Sequence, residues 1–395
     1  MDNMYRRWLN SKMGQFLIVS LLLSFVLILR LRGSIFRLAP DASYDIFSDT
    51  RNHPFSSIFS FADGYLSILP RLMAHVVVIA PIEYTAILSS SFTSLFWILA
   101  GLTVYFCMKE LVKSWQWSIL AALMVVLVPS ARESSLGNIG NVRWQLFIIL
   151  AVAGSSPYFV SKFSKSLIFI AFITGLSHPL AIIATIPLAF QYISSGATMR
   201  KKLGGPLLAV ALTFLIQVGV HFRLGRGAIR GGITHWWANP PIFWLFNWLF
   251  PVFLCLFVVV LLFLANRGRI SFESPTLSLA ITGFLIGSIS WIQGGIADRY
   301  FVVPTVLGWI ALILLYTSSR QQFPKVSIAI FLPIALVLTL GAFKWFGPSS
   351  FIDSGPTWSS EVRRLKIVCR ESPTAFVEAT LSAGSAEILC TNLAD

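Results

Sequence analysis

The sequence predicts an all-α, polytopic membrane protein, and three observations carry that reading. Apolar runs close to the roughly 20 residues that cross a bilayer recur from one end of the chain to the other. Charged residues make up only 12% of the 395 positions against 56% hydrophobic ones, and the mean hydropathy of +0.77 lies outside the range of a water-soluble domain. The charge that exists, a formal +14, is divided among short connections between the apolar runs. There it reads as membrane orientation, not as a nucleic-acid footprint.

The first run, Gly14 to about Leu31, is longer than a secretory apolar segment and is followed by Leu-Arg-Gly instead of a small-residue cleavage site, which favours a retained span near 14–32. Further spans are expected near 84–108, 116–131, 144–160, 166–177, 179–193, 205–222, 243–264, 276–293, 302–317 and 326–345, about eleven in all. With the amino terminus inside, Lys12, Lys109, Lys113, Lys162, Lys165 and Arg200-Lys201-Lys202 fall in inner loops whose acids are Asp2, Glu110 and Glu273. That asymmetry obeys the positive-inside rule and puts the carboxyl-terminal tail outside.

Two segments break the pattern. The run "GYLSILPRLMAHVVVIAPIEY" is interrupted by Pro70 and Pro81 and marked by Arg71 and His75, so interfacial or re-entrant helices are expected within a first outer loop at 33–83. In "GLSHPLAIIATIP", His178-Pro179 splits one long run into two short helices, a feature found where a polar cavity is built into a membrane protein. The domain reading is a multispan domain at 1–346 and a small extracytoplasmic cap at 347–395, with strands expected at "RLKIVC", "AFVEATL" and "AEILC". Cys369 and Cys390 both fall in that cap and could form a disulfide, whereas Cys107 and Cys255 sit in apolar spans and read as packing residues. The chain contains no phosphate-binding loop, paired CxxC or zinc-type histidine spacing, so nucleotide hydrolysis has no support.

The chemistry-bearing residues gather in outer loops. Asp41, Asp45 and Asp49 recur every four residues and share one face if that piece is helical, an arrangement that suits a general base or a divalent cation held by carboxylates. A solvated acidic loop is the plain alternative. Arg51, His53, Asp63, Tyr65 and Arg71 follow in the same loop. A second group, in "RESSLGNIGNVRW", offers Glu133, Asn138, Asn141, Arg143 and Trp144; such amides and carboxylates bind sugar hydroxyls, although they also satisfy loop backbones. A third, in "HFRLGRGAIRGGITHWWANPP", sets Arg223, Arg226 and Arg230 among glycines ahead of His235, which suits a phosphate or pyrophosphate, with lipid-headgroup anchoring as the alternative. Arg299-Tyr300 at the outer end of a span and His178 at the broken helix complete the set of candidates.

These pieces in this order, the acid cluster after the first span, then "GYLSILPRLMA", "ESSLGNIGNVRW", the split helix, "DRYFVVP" and a tail with a tryptophan and two cysteines, resemble a group of bacterial multispan proteins related to the GT-C glycosyltransferases. The resemblance implies a GT-C-like helix bundle in a bacterial cytoplasmic membrane. It also implies a catalytic acid in the first outer loop and a polyprenyl-phosphate sugar as donor, with transfer to an envelope glycan, lipid or protein acceptor on the outer face. Relatives often carry tandem acids where this chain reads Leu38-Ala39-Pro40-Asp41-Ala42, so one acid of the pair is missing and Asp45 is the candidate to compensate. On this reading Asp41 and Asp45 are catalytic, and Arg223, Arg226, Arg230, Arg299 and Tyr300 meet the lipid phosphate. No cofactor is required and a divalent cation is allowed. Two other readings stay open: a transporter or flippase of a lipid-linked or anionic solute, and a noncatalytic glycan-binding membrane subunit.

Overall fold

A computed structural model describes residues 11–38, 42–62, 65–128, 136–224, 275–294, 301–319, 355–381 and 385–393. The expected spans at 243–264 and 326–345 lie outside these residues. Among the described residues, four helices are long and apolar enough to cross a membrane: Lys12–Leu31, Ile82–Val112, Pro157–Ser177 and Ala197–Phe222.

The bundle opens with α1 (Lys12–Leu31), started by Ser11, whose side chain accepts from the Gly14 N–H at 3.0 Å. α4 (Thr85–Val112) and α5 (Trp115–Leu127) pack beside it. Arg30, buried near the end of α1, donates to the carbonyls of Val126 and Val128 and so satisfies acceptors that the closing turn of α5 leaves open. α6 (Val142–Ser155) runs through the centre with every residue buried. α7 (Pro157–Ser177) and α10 (Ala197–Leu224) form a long, closely packed pair. A Cβ added at Gly175 of α7 would fall 1.9 Å from Thr213 Oγ1 of α10, so the absence of a side chain sets the helix separation. Two further helices, α11 (Pro275–Gly294) and α12 (Val302–Ser319), pack on each other and on α6.

The break between α6 and α7 falls at Ser156, not between the expected 144–160 and 166–177 spans, and Lys162 and Lys165 lie inside α7. The reason is local: Pro157 has no N–H to continue α6, and Ser156 caps the new helix by accepting from the Phe159 N–H at 3.3 Å. The split at His178 is present. α7 stops at Ser177, His178 is extended, and α8 (Ala181–Ala184) and α9 (Ile186–Ser194) follow as short pieces.

The loop after α1 folds into α2 (Ala42–Asn52), a two-strand ribbon of β1 (Phe61–Ala62) and β2 (Tyr65–Leu66), and α3 (Ile68–Val78). The tail forms α13 (Trp358–Glu371) followed by an antiparallel hairpin of β3 (Phe376–Thr380) and β4 (Ser385–Leu389). The strand expected at "RLKIVC" is therefore helix. Leu365, Ile367 and Cys369 alternate over those six residues, but the longer window buries Trp358, Val362, Leu365 and Cys369 at helical spacing. A disulfide joins Cys369 to Cys390, with Cα atoms 5.3 Å apart, and ties α13 to the end of the hairpin.

Loop and tail share one core. Leu38, Ile46, Phe47, Met73, Val77 and Ile82 pack with Trp358, Val362, Leu365 and Ile388. Trp358 Nε1 donates to the Ile82 carbonyl at 2.7 Å, Lys366 pairs with Glu83 at 2.8 Å, and Arg37 Nε donates to the Gly355 carbonyl at 3.1 Å. The tail thus covers the loop after α1 at one end of the bundle.

Candidate functional site

At that end, residues 65–71 connect two groups of candidate side chains. β2 is held on its free edge by a side chain that sequence reasoning passed over: Gln217 of α10 accepts from the Leu66 N–H at 2.9 Å and donates to the Leu66 carbonyl at 3.2 Å. Its amide also donates to the Gly175 carbonyl in the last turn of α7 at 3.1 Å. One buried amide thereby satisfies three backbone groups that would be costly orphans. Ser177 Oγ accepts from the Leu69 N–H at 3.2 Å and fixes the start of α3 to the same spot.

This anchoring places Tyr65 against the centre of the bundle. The Arg143 guanidinium donates to the Tyr65 hydroxyl and stands 5.3 Å from the Tyr65 ring centroid and 5.1 Å from that of Trp144, a cation between two aromatic faces. His178 closes the group, 4.4 Å from Tyr65, 5.8 Å from Trp144 and 5.6 Å from Phe147 between ring centroids. His178 Nδ1 accepts from the Leu180 N–H at 3.1 Å, which holds the neutral ring as the Nε2–H tautomer. Arg143, Trp144 and His178 are all buried. A buried cation flanked by aromatic rings at a helix break can receive an anion or stack on a sugar face.

One turn along α3, Arg71 reaches α2. Its Nη1 lies 2.5 Å from Asp49 Oδ2, with the arginine 4% and the aspartate 30% exposed. Asp45 stands one turn before Asp49 on the same helix, so the expected four-residue spacing falls on helical backbone. Asp49 is thus occupied by a structural ion pair. His53, at the end of α2, is exposed, and Arg51 lines a small, mostly apolar pocket with Phe47, Ser48, Thr85 and Trp358 where α2 meets the tail. Asn138 and Asn141 are buried and their amide oxygens serve their own loop: Asn138 accepts from the Gly140 N–H at 2.9 Å and Asn141 from Trp144 Nε1 at 3.3 Å.

Asp41, Asp63, Glu133, Arg226, Arg230, His235, Arg299 and Tyr300 lie outside the described residues, and Arg223 is a backbone position in the last turn of α10. The structure brings together Tyr65, Arg143, Trp144 and His178, and separately Asp49 with Arg71. Among the described residues no group of three or more His, Cys, Asp or Glu converges as for a metal ion.

No family model matches the chain, and no curated protein matches it. In fold, the chain is similar to an archaeal oligosaccharyltransferase. The structure of the Archaeoglobus fulgidus enzyme in complex with zinc and sulfate is 16% identical over 89% of this chain, with a TM-score of 0.48. The structure of that enzyme tethered to an acceptor peptide is 13% identical over 93%, with a TM-score of 0.49. The chain spans little more than half of those proteins, 55% and 58%. Likeness at this level carries no functional weight.

Proposed function

We propose that the chain is a membrane glycosyltransferase-like enzyme that takes a sugar from a polyprenyl-phosphate donor and transfers it to an envelope acceptor at the membrane surface. The supporting observation is that one short segment, residues 65–71, fixes both the acid-bearing helix α2 and the buried Arg143–Tyr65–His178 group at the same end of the bundle. A carboxylate base and a cation already in place are what the two ends of a glycosyl transfer need.

In the proposed reaction, Asp41 or Asp45 takes the proton of an acceptor hydroxyl while its oxygen bonds to the anomeric carbon. The bond from that carbon to the phosphate oxygen breaks on the opposite face, and the configuration inverts. The electron pair leaves with the polyprenyl phosphate, whose growing negative charge needs cations already in place. Arg143 is a preorganised candidate, with Arg223, Arg226, Arg230 and Arg299 as the further ones. The helix break at His178 offers an apolar surface for the isoprenoid, and the tail covers the acceptor side. The bundle of about eleven spans, amino terminus inside and cap outside, belongs to this proposal.

The test is a comparison of envelope glycans by mass spectrometry in cells lacking the protein. These are complemented with wild type, Asp41→Asn or Asp45→Asn at matched membrane levels. Wild type is expected to restore a missing sugar, and at least one variant to fail. Full restoration by both variants would remove the carboxylate from the mechanism, and no glycan difference at all would remove the enzyme.

A further inference from the structure

At the end of the bundle away from the tail, two lysines converge on one atom. Lys12 Nζ, at the start of α1, lies 3.2 Å from the Tyr158 hydroxyl, and Lys162 Nζ, one turn along α7 from Tyr158, lies 3.3 Å from it. Both ammonium groups stand 5.7 Å from the Tyr158 ring centroid. Among the described residues neither lysine is ion-paired with a carboxylate. Two like charges therefore meet at a neutral oxygen, and the hydroxyl, accepting from both, keeps its own proton free to donate. The first turn of α7 adds the positive end of a helix dipole at the same place.

The surroundings decide what kind of anion fits. Phe16 lies one turn along α1 from Lys12 and is 42% exposed, while Phe163 and Phe169 of α7 are 39% and 66% exposed. Tyr158 and Lys162 are one turn apart and share one face at the start of α7, ahead of a kink at Phe163. A soluble phosphate has no use for exposed aromatic rings on two membrane-spanning helices. An amphiphile does, because its charged head would sit at the lysines and its chains would lie along the rings.

We propose that Lys12, Lys162 and Tyr158 bind the phosphate of an anionic phospholipid whose acyl chains run down the outward faces of α1 and α7. This site is remote from the proposed transfer site and does not depend on it. It would hold a structural lipid at the basic end of the bundle.

The test uses the purified full-length protein in detergent, offered phosphatidylglycerol and phosphatidylcholine at equal concentration and read by native mass spectrometry. Wild type is expected to retain one phosphatidylglycerol in preference to phosphatidylcholine. Lys12→Gln with Lys162→Gln is expected to weaken that retention at least about tenfold. Lys113→Gln with Lys201→Gln, which removes the same charge elsewhere, is expected to leave it unchanged. Equal retention by the Lys12/Lys162 variant, equal loss in the control variant, or no preference for the anionic lipid would each overturn the proposal. If the double variant does not elute as a folded species, the single Lys162→Gln is read against Lys162→Arg, which keeps the charge and is expected to keep the lipid.

Discussion

Arg71 donates through Nη1 to Asp49 Oδ2 at 2.5 Å, and this one bond joins the buried face of α3 to the acid-bearing helix α2. The two partners are not equally buried: the arginine is 4% exposed and the aspartate 30%. Removing Asp49 strands a buried cation, whereas removing Arg71 leaves a carboxylate that water still reaches. Asp49→Ala is therefore expected to cost about 3 kcal/mol and Arg71→Met about 1 kcal/mol. Thermal unfolding of the detergent-solubilised protein checks the order, and a smaller loss for Asp49→Ala would contradict it.

Gln217 carries a second prediction. Leu at this position would leave the Leu66 N–H, the Leu66 carbonyl and the Gly175 carbonyl without their side-chain partner, at about 1–3 kcal/mol for each group left buried. Gln217→Glu keeps only the acceptor for the Leu66 N–H. Hydrogen exchange at residues 65–69 is expected to speed up in both variants and further in Gln217→Leu. Unchanged protection would show that β2 is held by other means.

The tail has its own pH dependence. Glu361, 3% exposed, accepts from Arg364 at 3.0 and 2.6 Å and from the Thr380 N–H at 2.6 Å. The Arg364 guanidinium first, and the Thr380 N–H after it, hold its carboxyl below the usual carboxylate range, with burial opposing. A depressed folded value means that the stabilisation is fully present above the unfolded value of about 4.3 and is lost as pH falls through the lower folded one. The fluorescence difference between wild type and Trp358→Phe, which isolates the buried Trp358, is expected to report loosening of the tail below about pH 4. In Glu361→Gln that acid step should be missing.

The disulfide allows a topological prediction. A bridge between Cys369 and Cys390 persists in an oxidising compartment and not in a reducing one. In intact cells a membrane-impermeant maleimide is expected to miss both cysteines before reduction and to label them afterwards. Cys369→Ser should expose Cys390 to the reagent at once. Labelling of both wild-type cysteines without reductant would leave the tail unbridged, and absence of labelling even after reduction would place it on the inner side.

Much of the bundle was legible because apolar length is a strong signal: α1, α4, α5, α11 and α12 lie where long runs lie in the sequence. Boundaries failed where a short polar signal was outweighed by composition. Ser156-Pro157 is a capping serine followed by the residue best suited to a first helical turn, yet the apolar Tyr158-Phe159-Val160 that follow carried the expected span past it to residue 160. The α13 helix was hidden by a six-residue alternation inside a longer helical period.

For the site, Tyr65, Arg143, Trp144 and His178 stood out as polar or aromatic residues at breaks, and the fold brings them together. Gln217 gave no such signal. It is a single amide inside an apolar run, and only the backbone it serves, more than forty residues away in α7 and further still in β2, gives it a role. The Asp63-Gly64 pair between β1 and β2 is a hairpin signature that could have announced the ribbon.

The measurement that bears most directly on the proposed function is donor turnover by the purified protein reconstituted in liposomes. The liposomes carry radiolabelled polyprenyl-phosphate sugars, and an envelope extract serves as acceptor. The expected result is label transferred to the extract with release of polyprenyl phosphate, reduced by about a hundredfold or more in Asp41→Asn or Asp45→Asn and also weakened in Arg143→Ala. Donor left intact by wild type, or turnover unaffected by all three substitutions, would contradict a glycosyl transfer at this end of the bundle.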